Sequence, residues 1–212
     1  MSIDLWLYDT SKPHSDFPDN VATMKMRELS LFMRTKILAS LLGKKADKLV
    51  FSTSADGKPH LENNEGLRFN VSHSGTLWGM AVSYDATEIG FDIENERPRK
   101  YMSKMMETYF HHKEFLKYKS LPEQLERTAY FYTLWTQKEA YAKYLGLGLK
   151  YKFSADAFPA EIPDELNILS GVVLTALPQG STSYLSLACS ALMSPKNLIF
   201  LGDTSLNVRI TD

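Results

Sequence analysis

Four short stretches carry residues whose types and spacing suit chemistry on an anionic substrate. In Ile89-Gly90-Phe91-Asp92-Ile93-Glu94 the two carboxylates stand two apart, so on a strand they share one face while Ile89, Phe91 and Ile93 share the other. Asp and Glu are poor strand formers, and carboxylates this close repel unless something positive lies between them. A divalent cation would meet that need; so would water on a half-exposed strand, the commoner setting of an isolated Asp-x-Glu. Glu139 and Lys143 lie four apart, one turn after Trp135, on one ridge of a helix. Alone, that pair is an ordinary surface contact worth about 0.3–0.5 kcal/mol. His73 stands between Ser72 and Ser74, ahead of Gly75, and such a run offers several donors to a phosphate oxygen. It does not make a serine nucleophile with its base, because neighbours on an extended chain point apart and no third orienting group is marked. Lys58, in Gly57-Lys58-Pro59, is presented on a turn to solvent or to an anion.

These groups need strands and helices to hold them. Spacing predicts a strand over Ile3 to Tyr8 and a helix from about Val21 to Leu42, with Met24, Leu31, Ile37, Leu38, Leu41 and Leu42 on its buried face. Lys25, Arg27, Arg34 and Lys36 decorate that helix, as a solvated face or as phosphate contacts. Strands are expected over Leu49 to Thr53, into Phe69-Asn70-Val71-Ser72, and over Leu77 to Tyr84. Asn95 to Lys100 is polar and broken by Pro98, and we read it as the connection between two halves, residues 1–97 and 98–212. Tyr101 to Phe110 is a short helix rich in methionine and aromatics, adaptable as core filler or as a docking face. A long helix follows from about Glu123 to Leu145, with a buried stripe through Phe131, Leu134, Trp135, Lys138, Tyr141, Ala142 and Leu145, stopped at Gly146. Gly171 to Leu177, Tyr184 to Cys189 and Asn197 to Leu201 complete a β-rich remainder.

Composition excludes several classes. The chain's 212 residues, 44% of them hydrophobic and 23% charged, suffice for a core in one domain or two small lobes. A net charge of -1 gives no global pull toward nucleic acid or anionic membrane. No apolar run is long enough to span a bilayer, and Met1 to Leu7 lacks a basic segment leading into one, so a cytoplasmic location is expected. The single cysteine, Cys189, lies in an apolar run and is expected in the core.

Taken in order, Gly57-Lys58-Pro59, Asn70-Val71-Ser72-His73-Ser74-Gly75, Gly90-Phe91-Asp92-Ile93-Glu94 and Trp135-Thr136-Gln137-Lys138-Glu139-Ala140-Tyr141-Ala142-Lys143 resemble the motif series of the 4'-phosphopantetheinyl transferases, specifically the larger, surfactin-synthetase-activating type. The likeness covers roughly Leu49 to Lys150. It implies an α/β (α+β) fold of two similar lobes about a pseudo-twofold axis, active as a monomer, with coenzyme A bound between the lobes. It implies Mg2+ held by Asp92, Glu94 and Glu139, and coenzyme A contacted by Lys58, Pro59, Ser72, His73 and Lys143. The implied reaction moves the 4'-phosphopantetheine of coenzyme A to a serine of an apo acyl or peptidyl carrier protein, with Glu139 and Lys143 as catalytic groups. Phe91 stands where the family generally has an aliphatic residue; facing the core, it bears on packing more than on chemistry. Two alternatives share the same residues: a relative that binds coenzyme A or a carrier without chemistry, and a metal-dependent pyrophosphate hydrolase.

Overall fold

The computed structural model describes residues 3–11, 23–55, 57–62, 66–85, 87–97, 99–158, 167–174, 182–189, 197–201 and 207–211. In chain order the elements are β1 (Ile3–Asp9), α1 (Met26–Leu42), β2 (Phe51–Thr53), β3 (Pro59–Leu61), β4 (Arg68–Ser74), β5 (Leu77–Ser83) and β6 (Ile89–Asn95). They continue with α2 (Met102–Tyr109), α3 (His112–Ser120), α4 (Gln124–Leu145), β7 (Asn167–Leu174), β8 (Thr182–Cys189), β9 (Asn197–Leu201) and β10 (Asn207–Thr211). Helix and strand are mixed, as the α/β (α+β) reading anticipates.

Two four-stranded sheets form the frame, ordered β4-β5-β1-β9 and β10-β7-β8-β6, with β2 and β3 as a separate hairpin. β1 runs antiparallel to β5, Leu5 opposite Ala81, and parallel to β9, Trp6 opposite Ile199. β6 runs antiparallel to β8, Asp92 opposite Ser186. A late strand thus completes the first sheet, while β6, which precedes residue 97, forms an edge of the second.

Period-2 alternation explains the layering. Ile3, Leu5 and Leu7 of β1 meet Ile89, Phe91 and Ile93 of β6 and Leu185, Leu187 and Cys189 of β8 in one buried cluster. The opposite face of the first sheet, with Trp78, Met80 and Val82, packs on Leu29, Met33, Ile37 and Leu38 of α1. Tyr184 of β8 packs into a third cluster with Met102, Met106, Phe110, Phe131, Tyr132 and Leu134 from the helical layer. Cys189 is buried, as its apolar neighbours foretold.

Several expectations shift in detail. α1 begins at Met26; Val21 lies outside the described residues. Leu31, placed on its buried face by spacing, is 48% exposed, and Leu145 is 42% exposed at the end of α4. β7 runs from Asn167 to Leu174, and residues 175–177 lie outside the described residues. α3, β3 and β10 were not anticipated. In the methionine-rich helix Met102 and Met106 are buried, and Phe110 at its end is buried with them, so the packing role holds for these three.

Candidate active site

The site lies along the seam between the sheets, where the edge strands β4 and β6 run side by side. No main-chain ladder joins them in the sheet order; polar side chains bridge them instead. The Asn70 amide oxygen accepts from Phe91 N at 2.8 Å, Ser72 Oγ donates to Asp92 Oδ1 at 2.7 Å, and Ser74 Oγ donates to Glu94 Oε2 at 2.7 Å. The period-2 pair Ser72/Ser74 therefore meets the period-2 pair Asp92/Glu94, which satisfies an edge that would otherwise present unpaired groups.

α4 brings the remaining groups over this seam. Gly90 permits the approach: a Cβ there would overlap the Ala140 carbonyl oxygen and the Tyr144 amide nitrogen. Thr136 Oγ1 and Ser186 Oγ, 2.9 Å apart and buried, fix the helix on β8. With the helix so placed, Lys143 Nζ donates to Asp92 Oδ1 at 2.6 Å, Ser72 Oγ at 2.9 Å and the Phe91 carbonyl at 3.1 Å. One helical turn earlier, Glu139 is pushed up to about 7, first by burial, then by Asp92, with Lys143 opposing and Glu94 adding to the rise. The structure thus gathers Asp92, Glu94, Glu139, Lys143 and Ser72 into one neighbourhood.

His73 occupies the exposed side of β4, within electrostatic reach of the cluster. Its pKa is lowered, by local burial of the ring and then by Lys143, against Asp92 and Glu94. Lys58 and Pro59 line two adjoining hollows. The smaller, about 210 Å³, also takes in Asn70, Val71 and Lys143; the larger, about 560 Å³, includes His60, Arg68, Phe69, Glu88 and Tyr144. Lys58 Nζ donates to Glu88 Oε2 at 2.8 Å and to the Ile89 carbonyl at 3.0 Å, while Arg68 Nε donates to Glu88 Oε1 at 3.0 Å. Burial pushes Glu88 up, but its hydrogen bonds and charge contacts with Lys58 and Arg68 win and leave it lowered. The basic residues of α1 stay unassigned; Arg34 lies over the Phe51 ring at 4.7 Å and serves packing.

A third hollow, about 460 Å³, opens on the far side of Glu139 and is lined by Met105, Thr108, Tyr109, Trp135, Tyr151 and Phe153 among others. Its 151–158 wall is anchored from behind by Lys138, adjacent to Glu139 but aimed into the fold and fully buried. Lys138 Nζ donates to the carbonyls of Phe153, at 2.7 Å, and of Asp156, and pairs with Glu114 at 3.0 Å. Glu114 Oε1 also accepts from Phe158 N at 2.7 Å. A buried charge must be paired and hydrogen-bonded, and here the pairing ties α3, α4 and that wall together.

The donor set suits a hard divalent cation: Asp92, Glu94 and Glu139 offer only carboxylate oxygens, and Asp92 Oδ2 is buried with no hydrogen-bond partner. Among the described residues no three His, Cys, Asp or Glu side chains already stand together at metal-binding spacing. Asp92 is turned onto Lys143, and Glu94 onto Ser74 and Arg99, whose Nη2 lies 3.7 Å from Glu94 Oε2. Sequence reasoning named Ser74 only as a flank of His73, not as a partner of Glu94, and missed Arg99. The first repeats the spacing of Ser72 and was legible from it; Arg99, in a polar connecting segment, carries no such signal.

Comparisons with known proteins bear on the family of the chain. The model of the 4'-phosphopantetheinyl transferase superfamily matches residues 88–180. The chain is 30% identical over 167 residues to the 4'-phosphopantetheinyl transferase HetI of Nostoc sp. (strain PCC 7120), covering 69% of this chain and 70% of that protein. It is 30% identical over 162 residues to 4'-phosphopantetheinyl transferase psf-1 of Bacillus pumilus, covering 73% and 66%. With Sfp of Bacillus subtilis (strain 168) it shares 35% identity over 99 residues, 47% of this chain and 42% of that one. No helix among the described residues is long and apolar enough to cross a membrane. On this likeness in sequence, the chain belongs to the 4'-phosphopantetheinyl transferase superfamily and is an enzyme of that transferase class.

Proposed function

We propose that the protein, of the surfactin-synthetase-activating type, transfers 4'-phosphopantetheine from coenzyme A to a serine of an apo acyl or peptidyl carrier protein, releasing adenosine 3',5'-bisphosphate. The observation that carries this reading is the ion pair of Lys143 from α4 with Asp92 from β6, within electrostatic reach of Glu139, where Lys143 also lines the smaller hollow of Lys58 and Pro59. Asp92, Glu94 and Glu139 would hold Mg2+, which would supply charge neutralisation for the pyrophosphate of coenzyme A and for the phosphate that departs from it. Lys58 and Pro59 bind the adenosine end, and Ser72 and His73 the phosphates. Lys143, which lines the smaller hollow, neutralises charge as it builds on the departing phosphate, which favours the transition state over the ground state.

The carrier serine oxygen forms a bond to the phosphorus next to pantetheine as that phosphorus loses its bond to the bridging oxygen. The serine proton goes to Glu139, directly or through water; burial and the Asp92 and Glu94 carboxylates raise its proton affinity in the metal-free site, and a bound cation would lower it again. Two lobes, residues 1–97 and 98–212, a monomeric state, a cytoplasmic location and no dealings with nucleic acid or membrane belong to the same reading.

Incubation with coenzyme A, Mg2+ and several apo carriers tests it by mass spectrometry. A phosphopantetheine adduct is expected, lost in Asp92→Ala because a missing metal ligand removes on the order of several kcal/mol of transition-state stabilisation. Folded protein that binds coenzyme A yet modifies no carrier is a binding relative instead, and adenosine bisphosphate released without a carrier marks a hydrolase.

A further inference from the structure

We infer that Arg99 is a positioning residue that holds Glu94 and stands in for part of the divalent ion's charge, so that it sets how much metal the site requires. This inference rests on the cation reading above and adds a residue to it. Arg99 follows the polar connection after β6, yet its side chain is only 17% exposed. Its guanidinium lies over three rings of α4, 5.7 Å from the Phe131 centroid, 5.5 Å from Tyr132 and 5.4 Å from Trp135. A guanidinium stacks well on such a shelf and stays charged at any working pH.

The shelf is itself fixed. Tyr132 OH accepts from Arg99 Nε at 3.2 Å and from Arg97 N at 3.1 Å, and donates to the Arg97 carbonyl at 2.9 Å. The Tyr132 ring stacks on Tyr184, which is paired across the sheet with Glu94. Arg99 therefore reaches Glu94 Oε2 from a rigid base, at 3.7 Å, the oxygen that also accepts from the seam partner Ser74. The two acids of β6 are matched one to one by cations of the chain, Asp92 by Lys143 and Glu94 by Arg99.

A divalent ion arriving at Asp92, Glu94 and Glu139 meets that resident charge. Lys143 has work to do on the phosphates, but Arg99 lies behind Glu94 and remains. Its unit charge repels the ion and competes for the carboxylate, so removing it tightens metal binding; a purely structural prop would, when removed, loosen the site and weaken it. Mn2+ titration of metal-free protein, without coenzyme A or carrier, followed by electron paramagnetic resonance of the free ion, separates these. Arg99→Met should bind Mn2+ about tenfold more tightly than wild type, as expected for deletion of one nearby partly screened charge, and Arg99→Lys should bind as wild type does. Arg99→Gln, which keeps a donor for Tyr132, carries the same expectation as Arg99→Met if the latter does not fold. Equal or weaker binding in the charge-deleted variant overturns the inference while leaving the cation reading intact. Wild type that binds no Mn2+ overturns both.

Discussion

Glu139 concentrates the electrostatics of the site in one side chain. Its ordinary value near 4.5 rises to about 7 through burial and the Asp92 and Glu94 carboxylates. Between those two values the folded protein keeps a proton that the unfolded chain has released, so stability falls as pH rises through the window. The loss is absent below 4.5, where both states are protonated, and complete above 7. Glu139→Gln in chelator-treated buffer should therefore gain roughly 3 kcal/mol over wild type at pH 8 and nothing at pH 4, read by urea unfolding. A gain equal at both pH values would place the effect in packing. At this scale the alternation of Asp92 and Glu94 against Ile89, Phe91 and Ile93 was legible, because a strand has a period of two. The shelf under Arg99 was not, since it depends on rings from a helix about thirty residues away.

At the scale of elements, the glycine between Ile89 and Phe91 decides how near the catalytic helix can come. Gly90 has no room for a Cβ against the backbone of α4 at Ala140 and Tyr144, and backbone cannot swing aside as a side chain would. Gly90→Ala should cost at least roughly 1–3 kcal/mol of stability and should lower transferase activity further, by lifting Lys143 and Glu139 from Asp92. Thermal denaturation and turnover measured on the same variant check this; full activity would mean that the helix position is not critical. α4 itself was legible over nearly its whole length, from helical spacing and from Gly146, which caps it at φ 74. α3 was passed over because its nine residues are mostly polar. Its start is nonetheless encoded: the Glu114 carboxylate accepts from His111 N at 2.9 Å and then pairs with Lys138. β10 went unseen for a different reason, being short and paired only with β7.

Across the whole molecule the acidic seam separates two kinds of surface. On one side lie the hollows around the charged Lys58; on the other is the hollow of Met105, Tyr109, Trp135 and Phe153, with Glu139 in its lining. On the proposed transferase reading the carrier docks on this apolar side, where α2 presents Met105 and Tyr109 to the hollow, while Met102, Met106 and Phe110 are buried. Met105→Lys with Tyr109→Lys should raise the carrier's KM several-fold while leaving coenzyme A affinity unchanged, because apolar contact is lost only where the carrier docks. Unchanged carrier kinetics would remove the assignment. That helix and strand are mixed followed from the patterning, whereas the crossing of β9 into the first sheet depends on pairing with β1, which no local pattern announces. The central claim, that Asp92, Glu94 and Glu139 converge on one ion beside Lys143, is tested most directly by anomalous diffraction from crystals grown with Mn2+ and coenzyme A. A single manganese peak bounded by those three carboxylates is the expected result, and a peak elsewhere, with Asp92 and Glu94 still paired to Lys143 and Arg99, would contradict it.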